Sequence, residues 1–141
     1  MPALSMQDRL MIDDLFVRYT CALDEGDVDT LVACFAEDGS LESPAVGEYK
    51  GRPAIREFAG RFARFRERGS QLRHVISNIR VEADGDRAIA RCYLAVFLTR
   101  DGASRLLAPG TYHCELVQAD GQWLFQRRVV TMDHDYVLEG I

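Results

Sequence analysis

Hydrophobic residues recur at helical spacing through the first half of this chain and alternate through the second. From Ser5 to Asp24 the apolar positions Ile12, Leu15, Phe16, Tyr19 and Leu23 return in steps of three and four, which makes one stripe of an amphipathic helix. Ser5 with Asp8 fits an N-terminal capping pattern, and Gly26 supplies a stop. A second short helix is predicted to follow, capped by Asp27, with Val28, Leu31, Val32 and Phe35 on its apolar face and Asp38-Gly39 at its end. Residues 40–50 read as a short extended piece and a loop punctuated by Pro44 and Gly47. Gly51-Arg52-Pro53 opens a third helix, with proline in the first turn, Ile55, Phe58, Phe62 and Phe65 on the buried side, and Gly69 as its stop.

Beyond residue 70 the period falls to two. Four strand-like runs, 71–83, 86–100, 104–118 and 122–132, are joined at Asp84-Gly85, Asp101-Gly102 and Asp120-Gly121. Asp-Gly between alternating runs is a strong hairpin signal, so an antiparallel meander is expected. The strands are long and should twist and coil, with bulges where they bend. Three helices followed by a long meander predict an α+β fold in which the helices pack on one face of a strongly curved sheet. That arrangement is a cone with a cavity at its open end. Residues 1–141 carry no repeat, linker or low-complexity segment and read as a single domain.

Composition narrows the function classes. At 141 residues, 48% hydrophobic and 28% charged, the chain is an ordinary globular sequence. Its net charge of −5 argues against nucleic acid as a partner. The arginines between Arg61 and Arg73 alternate with Phe62, Phe65 and Leu72 and read as a solvated helix face. No apolar run approaches the roughly 20 residues of a membrane helix. The stretch Met1-Pro2-Ala3-Leu4-Ser5-Met6 lacks the marks of a leader, so a cytoplasmic protein without a membrane partner is expected. Four isolated cysteines, Cys21, Cys34, Cys92 and Cys114, have neither CxxC nor zinc spacing; no metal site is expected, and they read as small buried hydrophobes.

The candidate chemistry centres on His74 and Asp24. An imidazole that titrates near neutral pH, oriented by a carboxylate, can take a proton alpha to a carbonyl or beta to a leaving group. Asp24 lies at the edge of the first helix's apolar stripe, where inward access is open to it. Asn78 shares strand parity with His74, and a bulge would reverse that facing. Alternation sends Arg127 and Arg128 to opposite faces, so one of the two points into the cone, where a guanidinium would stabilise an anion. Tyr112 and His113 divide in the same way; Tyr112 is expected inward. Tyr19 is on the buried stripe, and its hydroxyl needs a partner. Phe58 and Phe97 are expected to contribute to an apolar wall.

Several motifs together resemble a known family. Tyr19-Thr20-Cys21-Ala22-Leu23-Asp24-Glu25-Gly26-Asp27, Cys34-Phe35-Ala36-Glu37-Asp38-Gly39, Tyr49-Lys50-Gly51-Arg52-Pro53, Arg73-His74-Val75-Ile76-Ser77-Asn78, Gly110-Thr111-Tyr112 and Asp120-Gly121-Gln122-Trp123 look like the SnoaL-like branch of the NTF2-like superfamily, a cone-shaped α+β roll. Within it the pattern is similar to cofactor-free lyases such as scytalone dehydratase, bile-acid 7α-dehydratase and hexachlorocyclohexane dehydrochlorinase. The resemblance implies an Asp24–His74 dyad, a pocket tyrosine at Tyr19 and, of the two arginines, Arg128 in the pocket. It departs from scytalone dehydratase, which has a second strand histidine where this chain has Phe97 or Leu98, and a tyrosine where this chain has Leu23.

The resemblance therefore implies a related proton-transfer site and not the same substrate. The expectation is a lyase, dehydratase or isomerase without a cofactor, acting on a small hydrophobic ring compound. His74, Asp24, Tyr19 and Arg128 would be catalytic; Tyr112, Asn78, Phe97 and Phe58 would contact substrate. A non-catalytic binding or assembly module and a polyketide-cyclase-like enzyme remain open alternatives on the same fold. Apolar residues at both strand parities also predict a homo-oligomer, dimer or trimer.

Overall fold

Ser5 starts the first helix with a reciprocal cap. Its hydroxyl accepts from the Asp8 N–H at 3.0 Å, and the Asp8 carboxylate accepts from the Ser5 N–H at 3.1 Å, so donors left open by the first turn are satisfied. This helix, α1, spans Met6–Glu25 and stops at Gly26, whose φ of 74° is left-handed. The computed structural model describes residues 3–141; Met1 and Pro2, where the leader reading begins, lie outside them. Then come α2 (Val28–Ala33), β1 (Phe35–Ser43), β2 (Gly47–Lys50), α3 (Gly51–Glu67), β3 (Gln71–Asp84), β4 (Arg87–Arg100), β5 (Ala103–Ala119) and β6 (Gln122–Met132). No described helix is long and apolar enough to cross a membrane.

The second helix is shorter than its apolar pattern predicts. Asp27 caps it, accepting from the Thr30 N–H, but it ends at Ala33; Phe35 begins β1, and Asp38-Gly39 lies inside that strand. Long-range pairing overrides the local pattern. The Phe125 N–H donates to the Cys34 carbonyl at 2.8 Å, and β1 runs parallel to β6 with a register irregularity between Phe35 and Ser40. Gly39 occupies that irregularity, where a Cβ would stand 2.9 Å from the Phe125 carbonyl oxygen. Glycine there is a point of close backbone approach, not a helix stop.

The four long strands form the expected antiparallel meander, and β1 and β2 extend it to a six-stranded sheet in the order β2-β1-β6-β5-β4-β3. Two hairpins turn through Asp101-Gly102 and Asp120-Gly121, both residues of each pair at positive φ, as a type I′ turn requires. The first hairpin is displaced by one residue: Asp84 pairs with Arg87, and Gly85-Asp86 make the turn. Only Gly85 has positive φ there, which suits a turn with glycine first.

Three contacts of α1 report how strongly the sheet curls. Arg9 donates to the Val81 carbonyl of β3 at 3.2 Å, and Asp24 reaches His74 of the same strand. On the other side, the Trp123 indole N–H of β6 donates to Asp8 at 3.0 Å. Two strands separate β3 from β6, so one helix touches both only because the sheet wraps around it. The space between is a core built on Ile12, Leu15, Phe16, Leu116 and Phe125, all fully buried.

Gly110 marks the tightest backbone approach in that wrap. A Cβ there would clash with the Thr131 carbonyl oxygen and stand 2.8 Å from the Met132 sulfur. Gly110→Ala is therefore expected to lower stability by about 1–3 kcal/mol through overpacking, read as a lower urea midpoint at constant m-value. An unchanged midpoint would mean that β5 and β6 do not approach this closely.

Candidate functional site

Asp24 lies in the last turn of α1, and both of its carboxylate oxygens are engaged by one residue of β3. Oδ1 is 2.6 Å from His74 Nδ1, and Oδ2 accepts from the His74 backbone N–H at 2.9 Å. The two side chains are only 10% and 8% exposed. A carboxylate only accepts, so Nδ1 carries the hydrogen and Nε2 of the neutral ring is left with a lone pair. The backbone bond fixes the carboxylate, and the carboxylate fixes the ring.

A residue not singled out from the sequence completes this attachment. The Gln71 amide donates to the Asp24 carbonyl at 2.9 Å and to the Leu72 carbonyl at 2.8 Å, while its oxygen accepts from Arg66 Nε at 3.2 Å. It thereby satisfies a carbonyl that the end of α1 leaves open. Nothing in a glutamine at a strand start signals that role.

Arg128 makes a second centre. It is fully buried, whereas Arg127 is exposed and paired with Glu42 at 3.0 Å. Strict alternation from Trp123 and Phe125, both buried, would have turned Arg127 inward. A register shift opposite Glu115 and Leu116 inserts Gln126 as an extra residue and reverses the parity. The guanidinium carbon lies 3.6 Å from the Tyr112 ring centroid, 3.9 Å from Tyr19, 4.5 Å from Phe125 and 5.2 Å from Phe16. Among the described residues its one well-formed hydrogen bond goes to a weak acceptor, the Cys114 sulfur, 3.3 Å from Nη1, while the Tyr19 and Tyr112 hydroxyls lie near the charge without a hydrogen bond of good geometry. Nε and Nη2 are buried without a partner.

Burial dominates the titration of the groups around this cation. It raises the Tyr19 and Tyr112 hydroxyls above the usual phenol range, with the Arg128 charge opposing. It pushes the Cys114 thiol up to about 12 and the Cys34 thiol up to about 11. At neutral pH the two tyrosines are thus neutral hydrogen-bond donors, and these thiols are not nucleophiles.

Other expected site residues are placed differently. Asn78 is exposed, because β3 carries an extra residue between Ser77 and Arg80 and Asn78 takes a left-handed φ of 57° in that bulge. Phe97 is 38% exposed and pairs with Arg73 on the sheet face away from the helices. Phe58 is buried but stacks on Phe62 and Tyr49 as part of the α3 core. His113 is exposed, as expected, and His134 is exposed with Nδ1 beside the Asp135 carbonyl. Beside Arg128 the rings of Tyr19, Phe35 and Phe125 meet at 5.4–5.8 Å and form an apolar wall. A surface recess of about 510 Å³ lies outside α1, between Leu10 and Trp123.

Known proteins share the fold that carries these residues. Residues 5–129 match the SnoaL-like domain. An uncharacterized protein of Mycobacterium tuberculosis strain H37Rv is 29% identical over 133 residues, covering 89% of this chain and 86% of that one. Another M. tuberculosis protein of unknown function, solved as an aspartate-to-asparagine variant, is 31% identical with a TM-score of 0.81, over 92% of this chain and 73% of that one. A Novosphingobium aromaticivorans protein provisionally named a scytalone dehydratase has a TM-score of 0.81 over 96% of this chain and 91% of its own, at 23% identity, a likeness of fold.

Proposed function

The chain belongs to the SnoaL-like family, and from that premise we propose that it is a cofactor-free lyase or isomerase for a small hydrophobic ring compound. His74 Nε2 takes a proton from carbon. The electron pair left behind either expels a leaving group, as in a dehydratase, or is reprotonated at another carbon by the same imidazolium. Asp24 holds the ring in the Nδ1–H tautomer and stabilises its charged form. Tyr19 and Arg128 stabilise negative charge on the substrate, and Tyr112 lies against the guanidinium with them. The observation that carries this reading is the 2.6 Å Asp24–His74 contact in a nearly buried setting.

The test is elimination or isomerisation of a panel of cyclic β-hydroxy carbonyl compounds, followed by absorbance of the conjugated product. His74→Ala and Asp24→Asn should each abolish turnover with the fold intact. Full activity in His74→Ala would remove the mechanism. Loss in Asp24→Asn alone would favour an aspartate base of the kind a cyclase-like enzyme needs.

Self-association belongs to the same proposal. The sheet face away from the helices exposes Val75, Tyr93, Phe97 and Leu106, an apolar patch suited to a second copy of the chain. Sedimentation should show a dimer or trimer that Tyr93→Glu converts to monomer. A monomeric wild-type protein would refute this part.

A further inference from the structure

Of the nitrogens in the Arg128 guanidinium, Nη1 donates to a sulfur, and Nε and Nη2 make no hydrogen bond among the described residues, although the Tyr19 and Tyr112 hydroxyls are near enough to feel the charge. Those two share one side edge of the guanidinium, where their N–H bonds run parallel. That edge is complementary to a planar group with two oxygens and binds it through two parallel charge-assisted bonds. Buried polar atoms in folded proteins are nearly always paired, and an orphaned one calls for a specific explanation. Here a whole edge is orphaned on a residue with no exposed surface.

We propose that the Nε–Nη2 edge of Arg128 is the seat of a carboxylate carried by a cyclic or aromatic substrate. This names the substrate class of the site proposed above and rests on that reading. No other basic side chain is among the groups described around this guanidinium. A single fork within aromatic rings suits a monoanion on a flat apolar body better than a phosphate dianion. Tyr112 and Tyr19 lie at 3.6 and 3.9 Å over the guanidinium, holding its plane.

The spacing to the dyad sets the size of that body. Tyr19, against Arg128, and Asp24, against His74, are both on α1, and five helical residues separate them by about 7–8 Å along the axis. The body of the substrate would then have to reach from the guanidinium edge to His74 Nε2. On the sheet side, Leu94, Val96 and Ala108 lie along the path between the two centres and present small or aliphatic side chains. Arg128 then orients the substrate by its carboxylate while the ring reaches His74.

The experiment is calorimetric titration of the full chain with benzoate, benzamide and chloride, repeated on Arg128→Lys, Arg128→Met and Asp24→Asn. Benzoate should bind saturably, and benzamide and chloride at least about tenfold more weakly, because only the carboxylate offers two charged oxygens to the fork. Arg128→Lys, which keeps charge and loses the fork, should weaken benzoate by about tenfold or more, and Arg128→Met should abolish its binding. Near-ultraviolet circular dichroism checks that both variants keep the fold, and the ¹⁵N shift of Arg128 Nε on adding benzoate locates the contact in the wild type. Asp24→Asn should bind benzoate as the wild type does, so that a failed dyad mechanism and a failed carboxylate site give different results. No benzoate binding, equal binding of benzamide or chloride, an unmoved Nε resonance or unchanged affinity in Arg128→Lys would overturn the proposal.

Discussion

Asp24→Asn is expected to reduce turnover by about 10³–10⁴-fold, the scale that follows from holding a catalytic histidine in the wrong tautomer, while leaving the fold in place. The argument is one of donors and acceptors. The His74 backbone N–H can only donate, so the amide oxygen of the variant must stand where Oδ2 stands, 2.9 Å from that nitrogen. The amide NH₂ then replaces Oδ1, 2.6 Å from the ring. Facing a donor, Nδ1 must become the acceptor, and the ring hydrogen moves to Nε2. The lone pair that should receive the substrate proton is gone, although no atom has moved far. Long-range ¹H–¹⁵N correlation spectra should report an Nδ1–H tautomer in the wild type and Nε2–H in the variant. An unchanged tautomer, or activity retained with the tautomer switched, would separate the dyad from catalysis.

Arg128→Met is expected to make the protein more stable, by about 1–4 kcal/mol, the range found when buried ionic groups give way to well-packed apolar ones. Desolvating a guanidinium costs several kcal/mol, and here it is offset by one bond to sulfur and by stacking on aromatic rings. Cation–π contacts return about 2 kcal/mol or more when desolvated, which does not balance a charge whose side edge is unpaired. Methionine is unbranched, adapts to irregular space and makes favourable contacts with rings. The sign is the informative part: a higher urea midpoint at constant m-value, together with lost benzoate binding, would show stability given up for a ligand. A lower midpoint would mean that the rings compensate the charge fully.

What could be read from the chain divides along the range of the interactions. The bounds of α1, the start of α3 and two of the three hairpins follow from signals a few residues long: Ser5 with Asp8, Pro53, Asp101-Gly102 and Asp120-Gly121. Phe35 belongs to β1 and not to the α2 pattern because what holds it is a parallel partner, Phe125, ninety residues along the chain. The site divides in the same way. Alternation allows only one of Tyr112 and His113 inside, and the Gly110-Thr111-Tyr112 motif points to Tyr112, which is the buried one; the resemblance pairs Asp24 with His74. Asn78 was misplaced by a bulge, and Phe97 lies on the outer parity. Arg128 was identified by resemblance alone, since alternation from Trp123 through Phe125 points to Arg127. Gln71 carries no local signal, because its role is set by where α1 happens to end.

The extra residue at Gln126 has a consequence for how such a site can change. Replacing Arg128 alters one interior group and leaves the rest of β6 as it is. Deleting Gln126 would remove the bulge and leave every side chain on its present face, because Phe125, Arg127 and Arg128 already pair with consecutive residues of β5. A single-codon deletion at the bulge would therefore be absorbed with Arg128 still opposite Cys114, whereas the same deletion in an unbulged stretch of strand would reverse the facing of all that follows. The bulge thus gives the second half of β6 slack in length without a change in what it presents to the interior.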